Sequence, residues 1–115
     1  NHVGNNALVD IIHEARVQFL TQYGWTEFYT AGVSLIMSEL SIEYKKEAFY
    51  NDALTVKVFS EEISGICFDL LYSISTVRDD RITTIAHAKT GMICYNYQTK
   101  KIERIPEKLK SILSN

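Results

Sequence analysis

The hydrophobic period of this sequence changes once, near residue 33, and that change limits the possible folds more than any other feature. Before it, apolar residues recur at helical steps, namely Leu8, Ile12, Ala15 and Phe19. This spacing predicts a helix over residues 6–23. Nine of the fourteen residues from Ala7 to Leu20 are apolar, so we expect the helix to be covered on most of its sides.

After residue 33, apolar and polar residues alternate in four successive runs, which is typical of strands. The predicted strands cover residues 33–46, 54–58, 66–75 and 82–97. Consecutive strands joined by short turns form an antiparallel sheet, and a short helix over residues 106–113 ends the chain. We therefore predict an α+β fold in which a long antiparallel sheet curls around one central helix.

The predicted ends of the helices carry residues that commonly start or stop a helix. Asn5 and Asn6 are suited to the N-cap of the first helix, and Gly24 is suited to its C-terminal stop. Pro106 is suited to the first position of the last helix.

Composition narrows the classes of protein and of partner. With 115 residues, 46% of them hydrophobic, the chain is expected to form one domain, residues 1–115, with a core of its own. A net charge of −2 argues against nucleic acid and against anionic membranes as partners. Cys67 and Cys94 are isolated from other ligands, so we predict free thiols, no metal site and a cytoplasmic location. We also predict no cofactor, and the glycine patterns of a P-loop or a Rossmann site are absent.

Two short segments near the N-terminus carry a resemblance to a known family. Residues 2–7 read His-Val-Gly-Asn-Asn-Ala, and residues 13–16 read His-Glu-Ala-Arg. Together they resemble the signature of hotdog-fold thioesterases of the 4-hydroxybenzoyl-CoA thioesterase type, which include acyl-CoA and acyl-ACP thioesterases. Further similarities, such as Thr90-Gly91 and Ile105-Pro106, extend the resemblance over nearly all of the chain.

The resemblance implies an assembly and also marks two departures. Family members are homo-oligomers, dimers or tetramers, with active sites between subunits. The family's catalytic aspartate would lie about three residues before Asn1, and its first strand would lie upstream as well, so we expect a domain that lacks its opening strand. Within the signature, Gly4 replaces an asparagine, and His13 stands where glutamate or another polar residue is common.

The start of the first helix is the predicted catalytic region. Backbone N–H groups at a helix N-terminus lack intrahelical partners and carry the positive end of the dipole. The N–H near Asn5 is therefore the predicted oxyanion hole, and Gly4 would let substrate approach the backbone closely. The alternative is that Asn5 only caps the helix.

Two further residues of the signature are candidates for the reaction. His2 matches the family's histidine, which the resemblance links to catalysis; alternatively it is an exposed histidine near a chain end. Glu14 could be a buried carboxylate with a perturbed pKa. Alternatively, Glu14 forms a structural pair with Arg16 or Lys89.

Phosphate groups on a CoA substrate require cations, which two segments supply. Arg78 and Arg81 lie at a predicted turn, and Lys101 and Arg104 lie in a basic stretch near the C-terminus. The alternative for the basic stretch is an ordinary solvated face.

The resulting prediction is a thioesterase that hydrolyses an acyl-CoA thioester. Two alternatives stay open: a non-catalytic hotdog module that binds acyl-CoA or a protein partner, and an acyl-ACP thioesterase whose basic stretch meets an acidic carrier protein.

Overall fold

The computed structural model describes residues 4–114, apart from the side chains of Asn5, Asn6 and Glu62. Its elements, in chain order, are α1 (Asn5–Thr21), β1 (Ser34–Tyr44), β2 (Thr55–Glu62), β3 (Cys67–Arg78), β4 (Arg81–Asn96), β5 (Lys101–Ile102) and α2 (Glu107–Leu113). Each predicted helix and strand is present, and β5 was not predicted.

The strands form one antiparallel sheet in the order β1-β4-β3-β2, with β5 paired to β4. The antiparallel prediction is confirmed, but consecutive strands are not all neighbours. β1 and β2 lie on opposite sides of the β4–β3 pair, because the segment after Tyr44 crosses from one side to the other. Alternation identifies the buried face of a strand and leaves its neighbour undetermined.

Helix α1 packs against the sheet along one stripe. Leu8, Ile12 and Leu20 are fully buried, whereas Val9 on another side of the helix is 38% exposed. The sheet contributes the inward side chains of β3, every second residue from Phe68 to Ile74. Within one chain the helix is therefore covered on one side, and a sheet that surrounds it stays a prediction.

The ends of the helices differ from the prediction by one residue at each start. Gly4, rather than Asn5 or Asn6, is the N-cap of α1, and Pro106 is the N-cap of α2 instead of its first residue. The predicted stop at Gly24 is confirmed. Its φ is +75°, its N–H donates to the Thr21 carbonyl, and the N–H of Trp25 donates to the Leu20 carbonyl, which is the Schellman arrangement.

A buried arginine ties α1 to the centre of the sheet. Arg16 is only 5% exposed, and its Nη1 lies 3.5 Å from the hydroxyl oxygen of Tyr72. Since guanidinium groups only donate, the Tyr72 oxygen accepts there and its proton is free for Thr90 Oγ1, 2.8 Å away. The other side of the guanidinium contacts His13 Nδ1 at 3.0 Å and Glu27 Oε1 at 3.5 Å.

The contact with Glu27 is electrostatic rather than a hydrogen bond. Arg16 Nε is buried and has no hydrogen-bond partner among the residues that the structure describes, although the Glu27 carboxylate lies near enough to balance its charge. The arginine is thus held by three neighbours from α1, β3 and the loop after α1.

We expect Arg16→Met to lower the free energy of unfolding by about 1.5–3 kcal/mol, the usual contribution of hydrogen bonds to a charged group. Methionine fills similar space but leaves Tyr72, His13 and Glu27 without the cation. Urea denaturation measures the change. Glu14→Gln on the exposed side of α1 is the control, and we expect it to change stability by less than about 0.5 kcal/mol. Equal stability of Arg16→Met and the unmodified protein would contradict a structural role.

Candidate functional site

The N-terminus of α1 presents backbone donors that have no partner within the helix. The first intrahelical hydrogen bond runs from the Leu8 N–H to the Gly4 carbonyl at 3.2 Å. Helix geometry therefore leaves the N–H groups of Asn5, Asn6 and Ala7 without intrahelical acceptors. His2, the other predicted catalytic residue here, lies outside the described residues.

Gly4 has no conformational need to be glycine. Its φ of −80° and ψ of 174° suit any residue, and a Cβ built there would meet nothing within 4 Å. The space that a side chain at Gly4 would occupy is therefore open within the described chain.

Glu14 is exposed, which corrects the prediction of a buried carboxylate. It accepts a hydrogen bond from Gln18 Nε2 at 3.1 Å instead of pairing with Arg16 or Lys89; Lys89 lies 3.3 Å from Glu39. Glu14 comes nine residues after Asn5, which places it about 13 Å farther along the helix axis. Within one chain, the structure does not bring these two residues to the same carbonyl.

Two cavities flank α1. The first, the α1–β2 groove, has a volume of about 550 Å³ and is lined by Glu14, Ala15, Gln18, Phe19, Leu54, Val56 and neighbouring residues. The second, the aromatic pocket, has a volume of about 460 Å³ and lies between the second half of α1, the following loop and the start of β1. Its lining includes His13, Leu20, Trp25, Glu27, Phe28 and Tyr97.

The predicted phosphate-binding cations lie at opposite ends of the sheet. Arg81 begins β4, whereas Lys101 pairs with Asn96, where β4 ends. A sixteen-residue strand is about 50 Å long, so one ligand cannot contact both. Arg104 lies at the same end of the sheet as Lys101. Its Nη1 is 3.2 Å from the position that a Cβ would take at Gly65. The Gly65 carbonyl also accepts a hydrogen bond from the N–H of Ile105, the next residue in the chain.

The start of α1 lies nearer to the Arg81 end of the sheet than to the Lys101 end. Thr21, the last residue of α1, lines the aromatic pocket together with Leu35, which pairs with Cys94 near the end of β4. Arg16, farther back along the helix, lies over Tyr72 in the middle of β3. The helix start therefore points toward the beginning of β4.

Arg81 lies in a basic cleft with two lysines that the sequence argument missed. The basic cleft has a volume of about 440 Å³, and Lys45, Lys46 and His87 line it with Arg81. Lys45 is paired with Glu43 at 2.8 Å, and that hydrogen bond is the main reason why the pKa of Glu43 is lowered. Adjacent lysines at the end of the predicted strand 33–46 were the available signal in the sequence.

Arg78 has structural partners instead of an open face. Its Nη2 donates to Asp52 Oδ2 at 2.6 Å and to the Glu47 carbonyl at 2.8 Å, and its guanidinium lies 5.2 Å from the centre of the Phe49 ring. These contacts fix the segment that crosses from β1 to β2, so Arg78 is better placed to hold that segment than to bind phosphate.

We expect the Asp52–Arg78 pair to make the free energy of unfolding depend on pH. Hydrogen bonds from Arg78 and from the Phe49 N–H hold the pKa of Asp52 below its usual value. A lowered pKa in the folded state contributes stability above the unfolded pKa, which is lost as pH falls through the folded value. The stability difference between the unmodified protein and Asp52→Asn should therefore shrink between about pH 5 and the folded pKa.

Urea denaturation at several pH values measures this difference. Glu61→Gln, a change at an exposed carboxylate on β2, is the control and should give a difference that is small at every pH. A difference for Asp52→Asn that stays constant down to pH 3 would contradict the assigned pairing.

The antiparallel sheet with its two helices has the fold of hotdog thioesterases. The sequence profile of the thioesterase-like superfamily matches residues 1–113, and the chain belongs to that superfamily. The predicted family is thereby confirmed.

One curated relative and two solved structures illustrate what the chain is similar to. A protein of Aquifex aeolicus named "Putative esterase" is 28% identical over 104 residues, which is 89% of this chain and 77% of the relative. The structure of a 1,4-dihydroxy-2-naphthoyl-CoA thioesterase from Synechocystis has a TM-score of 0.82 at 20% identity, covering 99% of this chain and 84% of that one. A hypothetical protein from Aquifex aeolicus has a TM-score of 0.79 at 26% identity, covering 97% and 86%.

None of the helices in the described residues combines the length and the hydrophobicity of a membrane span. Among the same residues, no group of three histidine, cysteine, aspartate or glutamate side chains is arranged to hold a metal ion.

Proposed function

We propose that this protein hydrolyses acyl-CoA thioesters to the free acid and CoA. The observation that carries the proposal is the open N-terminus of α1 in a member of the thioesterase-like superfamily. The name of the Synechocystis thioesterase, whose fold this chain shares, specifies a CoA thioester as its substrate, which supports CoA as the thiol.

In the proposed reaction, the thioester carbonyl oxygen accepts a hydrogen bond from the N–H of Asn5. Water that has given a proton to the carboxylate described below attacks the carbonyl carbon, which places negative charge on that oxygen. An N–H without an intrahelical partner, at the positive end of α1, stabilises the charge. The carbon–sulfur bond then breaks, and the CoA thiolate leaves and takes up a proton. His2, three residues before Asn5, is proposed to act beside this N–H.

The carboxylate of the proposed site is Glu14 of a second copy of the chain. A carboxylate is needed as nucleophile or as a base for water, and Glu14 lies about 13 Å from Asn5 along its own helix. A site that uses both residues therefore takes them from two subunits. Exposure of Glu14 beside the α1–β2 groove leaves it accessible to such a partner.

Replacement of Asn5 by proline tests the backbone donor directly. Asn5 is the first helical residue, a position where proline is well tolerated, and the extended conformation of Gly4 suits a residue before proline. Asn5→Pro therefore removes the N–H with little effect on folding. We expect kcat to fall about 10²- to 10³-fold, as for loss of one oxyanion-hole donor.

The measurement is release of free thiol from a panel of aliphatic and aromatic acyl-CoAs. Asn5→Ala is the matched control, since it removes the side chain and keeps the N–H, and it should retain most of the activity. Equal losses in the two variants would assign the effect to the Asn5 side chain instead. If no acyl-CoA in the panel is cleaved above background while the protein still binds one, the chain is a non-catalytic acyl-CoA module.

We further propose that the basic cleft binds the phosphates of CoA. Of the two groups of cations, this one lies at the end of the sheet toward which α1 begins, and Lys45, Lys46 and Arg81 meet there. The lysine ammonium groups and the planar guanidinium group of Arg81 in one cleft suit phosphate oxygens. Lys101 and Arg104, at the far end, would serve a different ligand or subunit.

We expect Lys46→Glu and Arg81→Glu each to raise KM for an acyl-CoA about tenfold, since each replaces an attraction to phosphate by a repulsion. The same variants should leave turnover of an acyl-N-acetylcysteamine thioester unchanged, because that substrate lacks phosphates. Lys57→Glu, at an exposed position of β2, is the control for charge reversal. Unchanged KM for acyl-CoA, or inhibition by free CoA that no variant alters, would refute the assignment of this cleft. Hydrolysis that free CoA does not inhibit at all would favour an acyl-ACP substrate.

A further inference from the structure

The end of the sheet that carries Lys101 holds two features that the proposed reaction does not use. One is a group of cations, and the other is a group of large apolar side chains that are between 53% and 79% exposed. We call the second group the apolar rim, and its members are Phe28, Tyr29, Tyr97 and Ile102.

The apolar rim is one surface made from two segments of the chain. Phe28, Tyr29 and Tyr97 line the same cavity, which has a volume of about 390 Å³. Ile102 pairs with Tyr95, whose ring centre lies 5.0 Å from that of Tyr97. The loop after α1 and the turn before β5 therefore bring their apolar side chains to one place. Exposed apolar side chains that are grouped in this way mark an interaction surface.

Hydrogen bonds hold the backbone of both segments. Thr26 and Tyr29 exchange two backbone hydrogen bonds of 3.1 Å around Phe28, and the Ser34 hydroxyl donates to the Phe28 carbonyl at 2.9 Å. The turn between β4 and β5 is held by two backbone N–H groups that donate to Asn96 Oδ1 at 2.9 and 3.1 Å. Since the backbone is already ordered, binding through the rim costs little conformational entropy.

Three cations accompany the rim, and no ion pair neutralises them. Lys100, Lys101 and Arg104 are all exposed, and none of them forms an ion pair with another of the described residues. Lys101 pairs with Asn96, which lines the same cavity as the aromatic members of the rim. The positive charge and the apolar surface therefore lie side by side.

Negative charge is scarcer at this end. Glu103 is the one carboxylate among residues 96–104, and it is half-buried and accepts from Asn96 Nδ2 at 3.5 Å. Glu27, on the loop after α1, lies against Arg16. Residues 96–104 thus carry three cations against one carboxylate, a net charge of +2, although the net charge of the chain is −2. The charge of the whole chain, which argued against anionic membranes, does not describe this end.

We propose that this end of the protein docks on membranes that contain anionic phospholipids. Phe28 and Ile102 enter the boundary between head groups and acyl chains, where their apolar surface leaves water. Tyr29 and Tyr97 suit the level of the head groups, because each has an apolar ring and a polar hydroxyl. The three cations lie against the lipid phosphates, which their long side chains can reach from beside the rim.

A lipid surface fits these groups better than a nucleic acid or an acidic protein does. Bases need open aromatic faces to stack on, whereas Tyr95 and Tyr97 meet edge to face at 73°, which covers one of those faces. Phe28 and Ile102 have no polar side-chain atom for a base or a phosphate. An acidic protein would have to match the shape of two separate turns, whereas a fluid surface adapts to them.

Sedimentation with vesicles tests docking in the absence of any substrate. The full chain is mixed with vesicles of phosphatidylcholine alone or of phosphatidylcholine with phosphatidylserine, at low and at high salt. We expect the partition coefficient to be about 100-fold higher for the anionic vesicles, since each of three cations near such a surface contributes a factor of about five. High salt should remove most of this preference.

Variants assign the binding to the rim and to the cations. Phe28→Ser should weaken it about tenfold, because it removes the most exposed aromatic ring. Its matched control is Tyr50→Ser, at a 71% exposed aromatic residue between β1 and β2. Lys101→Gln should weaken binding about fivefold, with Lys57→Gln at an exposed position of β2 as its control. Both controls should leave binding unchanged, and thermal unfolding checks that each variant is folded.

The outcomes separate docking from hydrolysis, because no thioester is present. Acyl-CoA cleavage without vesicle binding would refute docking alone, and vesicle binding without cleavage would support docking and refute hydrolysis. Equal binding to the two kinds of vesicle, or binding that neither Phe28→Ser nor Lys101→Gln weakens, would overturn the proposal. Absence of vesicle binding together with Lys101-dependent binding of a single-stranded oligonucleotide or an acidic carrier protein, or with self-association that Phe28→Ser abolishes, would assign the surface to that partner and overturn it as well.

Discussion

The burial of one stripe of α1 against the sheet determines where the start of the helix, Arg16 and the two cavities that flank the helix lie. Leu8, Ile12 and Leu20 in this stripe are fully buried, and each contributes about 1.5–3 kcal/mol relative to exposure. A rotation of the helix would expose them, and it would also withdraw Arg16 from Tyr72. The apolar contacts thus fix the helix about its axis, and the arginine fixes it along the sheet. The position of the Asn5 N–H follows from both.

Most of the helices and strands could be predicted from the sequence, because each is indicated by the period of its apolar residues. The helical spacing around Ile12 and the alternation in the strands gave the elements within a few residues. The strand order could not be predicted, since alternation is the same whether β1 pairs with β2 or with β4. β5 has two residues, too few for a period. The N-cap is Gly4 and not Asn5. The sequence could not decide between them, because asparagine and glycine are both common at that position.

The candidate site, too, could be predicted only in part from the sequence. The start of α1 was predictable because a local signature marks it. Contacts between distant residues were not: Arg78 reaches Asp52, 26 residues away, and Arg16 reaches Tyr72, 56 residues away. His13 and Arg16 are three residues apart, so their contact is local. Glu27, which lies near both side chains, is on the loop after α1 and reaches the helix only in the folded chain. Lys45 and Lys46 join Arg81 only because β1 pairs with β4.

The length of β4 has a consequence for how this protein can change. The sixteen-residue strand is about 50 Å long and separates the basic cleft from Lys101 and the aromatic residues near Tyr97. Substitutions so far apart act independently, and their free energies add. Mutation and selection can therefore alter the groups at one end of the strand while those at the other end keep their properties.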